Sequence, residues 1–288
     1  KDFLKEANIV LLHEVQLSTR ADWVQSNFIT DDTTAMASDA AAHMNEVSTK
    51  LALESKKYKG TSPDEKRQLD LLFNGVVLPA PADTAKTQEM ARLKSESESA
   101  YGSGKFCNKK GKCLGLQEIE ELFEKSRNPA ELLELWNGWH AIAPPMKAKY
   151  QKIVELGNQG AKELGYKDMA DLWKAKYDMP PAEFEKNLDT LWGQVQPFYE
   201  QLHCYVRSQL NKKYGDKVVS KEGPIPAHLL GNMWAQSWTG VRDVIGVNTK
   251  TGVDVTKLLK EAKYDSKKMV RVAENFFVSL GMPKLPPS

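Results

Sequence analysis

Between residues 181 and 211, Phe184, Leu188, Leu191, Val195, Phe198, Leu202 and Tyr205 follow one another in alternating steps of four and three. That spacing draws one continuous apolar stripe down a single face of an α-helix. The stripe reads as core, and it sets the class of fold. Pro197 lies inside it, removes one backbone donor and predicts a kink near Gly193–Gln196. Helical spacing recurs along the chain. Residues 2–28 carry Phe3, Ile9, Leu12, Val15, Leu17, Trp23 and Phe28. An Ala-rich helix is predicted over 32–57, with Asp31 or Asp32 as its N-cap. Further helices are predicted at 63–73, 84–99, 116–126, 129–142, 146–164 and 265–280, the last with Met269, Val272, Phe276, Phe277 and Leu280 facing inward. Short β-branched runs at 217–219 and 244–247 could be strands, but they are too few for a substantial sheet. The pattern reads as one mostly α unit over residues 1–288 with little or no β structure.

Composition narrows the function classes. A formal net charge of +2 over 288 residues gives no electrostatic reason to expect nucleic acid. Basic residues cluster at Lys105–Lys112 and Lys212–Lys213, where solvated loops explain them. No apolar run approaches the ~20 residues of a membrane span, and no signal-peptide core is present. The chain starts at Lys1 and stops in a Pro-rich LPPS, which reads as a processed form or a piece of a longer chain.

Cys107 and Cys113 bracket a polar loop rich in Gly and Lys, short enough to close a disulfide. The chain-entropy model gives such a ring roughly 2 kcal/mol. Two free thiols in a reducing compartment are the other reading of the same residues. A disulfide would place the protein outside the cytoplasm, secreted or periplasmic. Cys204 falls on the apolar stripe and reads as a buried, unpaired thiol. No Asn-x-Ser/Thr sequon occurs.

His13, His43, His140, His203 and His228 are scattered, with no pair four apart and no HExxH, so a two-histidine zinc helix is excluded. Glu118, Glu120 and Glu121 read as a solvated helix face. Residues 222–238, EGPIPAHLLGNMWAQSW, stand apart. They mix large flat apolar groups with a few fixed hydrogen-bonding groups, as a ligand cleft does. If 226–238 is helical, Leu230, Trp234 and Trp238 share a face. Gln236 can then donate its amide hydrogens to a ligand carboxylate or carbonyl. A satisfied core glutamine against buried indoles is the alternative.

The same stretch closely resembles a signature segment of the angiotensin-converting enzyme family of zinc peptidyl-dipeptidases. WNGWHAIAPPMKAKYQKIVELGNQGAKELGY (136–166), DLWKAKYDMPP (171–181), QVQPFYEQLHCYVRSQLNKKYGD (194–216) and FFVSLGMPKLPPS (276–288) look like successive parts of that domain. The HAIAPPM and LHCYVR wording and the missing sequons are more similar to bacterial members. The resemblance implies a helical ellipsoid with a deep central cleft, of which this chain is the N-terminal half. Lid helices would fall at about 1–99 and cleft-wall helices at about 116–288. It implies removal of C-terminal dipeptides from oligopeptides by one zinc ion, with chloride as a second, activating ion. The family's HExxH and its other zinc ligand match nothing here and are expected beyond Ser288. No catalytic residue is therefore assigned in this chain, and the C-terminal half of the domain is the partner it implies.

Residue by residue, Gln236 matches the family glutamine that binds the substrate's terminal carboxylate, and Ser237 a position lining the adjacent pocket. Tyr177 matches a tyrosine beside one chloride. His140 stands where the family has an arginine at the other chloride site, which removes a permanent cation. Cys107 and Cys113 match the family's first disulfide. The rival functional class is a non-catalytic module of the same family that binds peptides or a partner without cutting.

Overall fold

A computed structural model describes residues 2–108, 111–246 and 253–286. The chain divides into two compact units, Lys1–Ile245 and Gly246–Ser288. The fold is mostly α, as the spacing predicts. In the first unit the helices are α1 (Asp2–Asn27), α2 (Asp31–Ser55), α3 (Pro63–Asn74), α4 (Thr84–Gly102), α5 (Leu116–Lys125), α6 (Pro129–His140), α7 (Lys147–Glu163), α8 (Met169–Lys174) and α9 (Pro181–Tyr214). The second unit holds α10 (Val255–Glu261) and α11 (Ser266–Ser279). Short α8 and α10 escape periodicity because six and seven residues are too few to draw a stripe.

Helix starts follow from local chemistry. Ser62, Asp83, Asn128, Asp168, Asp254 and Asp265 each accept a backbone N–H from the first turn they precede. For α2 the N-cap is Thr30, one residue before the expected aspartates. Its hydroxyl accepts from the Thr33 N–H, while Thr33 Oγ1 accepts from the Thr30 N–H. Asp31 and Asp32 fall in the first turn, where their charge suits the helix dipole.

The expected strands at 217–219 and 244–247 do not form among the described residues. Val218 and Val219 lie in a turn closed on the Gly215 carbonyl, Val244 and Ile245 in one closed on Val241, and Val247 lies outside the described residues. The strands present are two-residue segments, β1 (Phe106–Cys107) and β2 (Cys113–Leu114), paired antiparallel across the Cys107–Cys113 disulfide. Lys109 and Lys110 of the basic cluster are also outside the described residues.

Three apolar clusters organise the first unit. One joins α2, α7 and α8 through Ala52, Ala161, Leu164, Met169 and Leu172. A smaller one joins Ala80, Met90 and Leu156. The largest brings Phe123 and Ile119 of α5 and Leu132, Leu135 and Trp139 of α6 together with Val206 and Leu210 of α9. Ile225, Leu229, Leu230 and Met233 plug that cluster from the segment after α9.

The α9 stripe corrects the expectation of a core helix. The helix runs unbroken through Pro197 from 181 to 214, but only Val206 and Leu210 are buried. Leu191 is 56% exposed and Phe198 71% exposed. Cys204, expected buried, is an exposed free thiol. On α11 Met269, Val272, Phe276 and Phe277, and Leu280 just after it, are likewise exposed rather than inward.

Candidate functional site

The segment 222–238 is not a helix. A short 3-10 turn at Ala227–Leu229 leads into bends and a second 3-10 turn at Trp238–Val241. Two features stop a helix from propagating. Gly231 has φ +92°, and a Cβ there would meet the Ser237 carbonyl oxygen at 2.7 Å. The Asn232 side chain captures N–H groups that a helix would need. Its Oδ1 accepts from Gln236 N at 3.0 Å and from Ser237 N at 3.4 Å. Gly240 completes the stem, since a Cβ on it would meet the Gly231 oxygen at 2.6 Å. The result is a loop whose two ends touch through glycine backbone.

This loop sorts its residues by depth. Leu230 and Met233 are buried, Trp238 is half-buried, and Trp234 and Gln236 are exposed. Leu230, Trp234 and Trp238 therefore do not share one face. Met233 is pinned by its N–H, which donates to Glu120 Oε1 at 2.9 Å. Glu120 thus ties α5 to the loop, and Glu118 accepts from Gly115 N at the start of α5, so these two carboxylates hold backbone rather than forming only a solvated face. Ala235 sits at φ 54°, the left-handed region that a side chain enters at a cost of about 1–2 kcal/mol. Such strain immediately before Gln236 marks the loop as held in one shape.

The Gln236 amide makes no hydrogen bond to another described residue, so the core-glutamine alternative does not hold. Ser237 Oγ lies 2.9 Å from Thr239 Oγ1. The Trp238 indole N–H donates to the Ala235 carbonyl at 3.1 Å. Its ring borders Tyr199 and His203 on α9, with centroids 6.3 and 6.4 Å apart. Behind the loop, Arg127 clamps the chain. It donates to both carboxylate oxygens of Asp243 and to the carbonyls of Gly240, Glu124 and Ser126. The hydrogen bond to Arg127 holds the Asp243 carboxyl below its ordinary range. Burial pushes the His228 imidazole down, which favours its neutral form.

Tyr177 ends a 3-10 turn at Ala175–Tyr177, just before Asp178 in the left-handed region. Its ring lies tilted against Phe184 at 4.2 Å, near the start of α9. Trp238, two residues after Gln236, borders Tyr199 and His203 instead. At 1.5 Å per residue, about 22 Å of helix separates Phe184 from Tyr199. Tyr177 and Trp238 therefore meet α9 at different places. His140 closes α6 with Nδ1 donating to the Trp136 carbonyl at 2.8 Å and its ring 3.9 Å from the Trp136 ring. Trp136 Nε1 beside it is buried and has no acceptor among the described residues. No group of three His, Cys, Asp or Glu side chains among the described residues could hold a metal ion. No described helix is long and apolar enough to cross a membrane.

The family model described as angiotensin-converting enzyme matches residues 1–288. Angiotensin-converting enzyme of Oryctolagus cuniculus is 40% identical over 214 residues, covering 73% of this chain and 16% of that protein. The Haematobia irritans exigua enzyme is 34% identical over 294 residues, covering 99% of this chain and 48% of that protein. That of Sus scrofa is 35% identical over 296 residues, covering 100% of this chain and 22% of that protein. The chain thus spans less than half the length of these curated relatives. With the match running end to end, the chain belongs to the angiotensin-converting enzyme family of peptidyl-dipeptidase metallopeptidases.

Proposed function

We propose that these 288 residues supply the lid and one wall of a peptide cleft in a zinc peptidyl-dipeptidase, and that the residues binding the metal come from other polypeptide. The observation carrying this reading is the uncovered stripe of α9. A long amphipathic helix with its apolar face open is one side of an interface. Zinc chemistry does not fit this chain's own side chains, since no metal-binding group occurs among the described residues. No catalytic step is therefore assigned to them.

In this reading Gln236 donates its amide N–H groups to the terminal carboxylate of an oligopeptide. Its exposure and its lack of a protein partner support that role, and the Asn232 cap fixes the backbone from which it reaches. Ser237, on the same turn, borders the last side chain of the peptide. Tyr177 flanks a chloride in a separate place. The unpartnered Trp136 N–H beside His140 is a donor suited to a second anion. The disulfide favours a location outside the cytoplasm, secreted or periplasmic.

The experiment compares the 288-residue chain with a longer polypeptide of the same reading frame that carries a zinc motif. With zinc added, the short chain leaves a blocked tripeptide intact, and the long one cleaves it until a chelator is added. Gln236→Leu in the long polypeptide raises KM about tenfold or more for a free-carboxylate tripeptide, the loss expected for a hydrogen bond to a charged group. It leaves the C-terminal amide of that tripeptide unaffected. Chelator-sensitive cleavage by the short chain, or equal losses for acid and amide, would overturn the reading. Binding without cleavage by the long polypeptide would favour a non-catalytic module.

A further inference from the structure

The turn between α2 and α3 carries a basic pocket that the peptide cleft does not use. A cavity of about 520 Å³ opens there, within the size range of small-molecule sites. Lys56, Lys59 and Lys66 line it, with Asp70 as the one carboxylate among its lining residues. None of these lysines forms an ion pair among the described residues. Lys56 Nζ is fixed by other means. It donates to the Leu164 carbonyl at 2.8 Å and stands 4.2 Å over the Phe73 ring. Two carboxylates on the flanking helices have partners of their own. Glu54 pairs with Lys57 at 2.6 Å, and Glu65 accepts from Thr61 N at 2.8 Å.

The pocket is built by backbone rather than by long side chains alone. A Cβ on Gly60 would come within 2.8 Å of the Glu65 carbonyl carbon, so the turn lies directly on α3. That contact sets Lys59 beside Lys66. Tyr58 closes one side, its ring stacked on Phe3 at 4.3 Å and 8°. The outcome is a net positive pocket, three lysines against Asp70 among its lining residues, with an aromatic floor, in which an ammonium group acts as a point charge for phosphate or carboxylate.

We propose that this pocket binds a small polyanion carrying two or more phosphate or carboxylate groups, independently of any peptide cleft. The test is calorimetric titration of the 288-residue chain with inorganic pyrophosphate and, separately, with citrate, at low and at high salt. Pyrophosphate should fill one saturable site whose affinity falls as salt rises. The double variant Lys59→Glu/Lys66→Glu should lose about tenfold or more, because four units of charge reverse at the pocket. Both lysines are exposed, and circular dichroism verifies that the fold persists. Lys212→Glu/Lys213→Glu, with the same change in net charge at the end of α9, should bind as the parent does. Preference for pyrophosphate upholds a phosphoryl site, and equal binding of citrate upholds a general polyanion site. Absence of saturable binding, or equal weakening by the two double variants, would overturn the proposal.

Discussion

Two phenylalanines in the same unit should respond very differently to truncation. Phe123 on α5 is 1% exposed within the largest apolar cluster, whereas Phe198 on α9 is 71% exposed. Phe123→Ala removes a packed ring and leaves a cavity, which costs about 3–5 kcal/mol. Full burial of a phenylalanine contributes about 1.5–3 kcal/mol. Less than a third of Phe198 is covered, so Phe198→Ala forfeits under about 1 kcal/mol and opens no cavity. The better helix propensity of alanine returns a few tenths of that. Equilibrium urea unfolding of the 288-residue chain measures both, compared at equal slope. A loss of about 3 kcal/mol or more for Phe198→Ala would mean that the stripe is covered in this chain, and the interface reading of α9 would fail. In a longer polypeptide that closes over α9, the same substitution should cost as much as Phe123→Ala does here.

Two further outcomes follow from the loop. Gly231→Ala places a side chain at φ +92° against the Ser237 oxygen and should destabilise the chain by about 1–3 kcal/mol in urea unfolding, while Gly223→Ala, at φ +84° with open space around it, should cost only the backbone strain of about 1–2 kcal/mol. His228 is held below its unfolded pKa by burial, so the unfolded chain takes up a proton first as pH falls. Stability should therefore drop as pH falls through the ordinary histidine value near 6.5, and His228→Gln should flatten that slope. An unchanged slope in thermal melts between about pH 5 and 7.5 would show that another group sets it.

Helix positions are legible in the sequence because the spacing that marks them is local. Ser62, Asp83 and Asn128 stand one residue before helices that the spacing predicts, and each accepts a backbone N–H two or three residues on. Thr30 was passed over for the aspartates beside it because its bond with Thr33 makes a reciprocal box that charge alone does not suggest. The loop at 230–238 misled for a related reason. Its Leu, Met and Trp residues fit a helical wheel, yet one asparagine side chain and two glycines redirect its backbone. A Gly-Asn pair ahead of the apolar run was the available signal, since both residue types favour turns. The match of Gln236 to a carboxylate-binding glutamine rested on resemblance, and the fold adds that its amide is free to bind.

Periodicity states that a face wants to be covered, but it carries no information about what covers it. On α5 and α6 the answer is inside the chain, and Phe123, Leu135 and Trp139 are buried. On α9 the same regular spacing ends with exposed leucines, valine and phenylalanine. The sequence cannot separate these cases, because the hydrophobic effect depends on area removed from water and not on which polypeptide removes it. The difference lies in the ends of α9. Near its C-terminal end, Val206 and Leu210 meet the returning segment with Ile225 and Leu229, and Tyr205 donates its hydroxyl to the Ile245 carbonyl at 2.7 Å. Toward the N-terminal end the chain meets the helix at Tyr177 against Phe184, Met179 against Asn187 and Lys174 against Glu185, and leaves Leu191, Val195 and Phe198 exposed. In the proposed reading, a helix anchored at both ends is already ordered, so the exposed part of Leu188, Leu191, Val195 and Phe198 could be buried by a partner without the cost of ordering the helix.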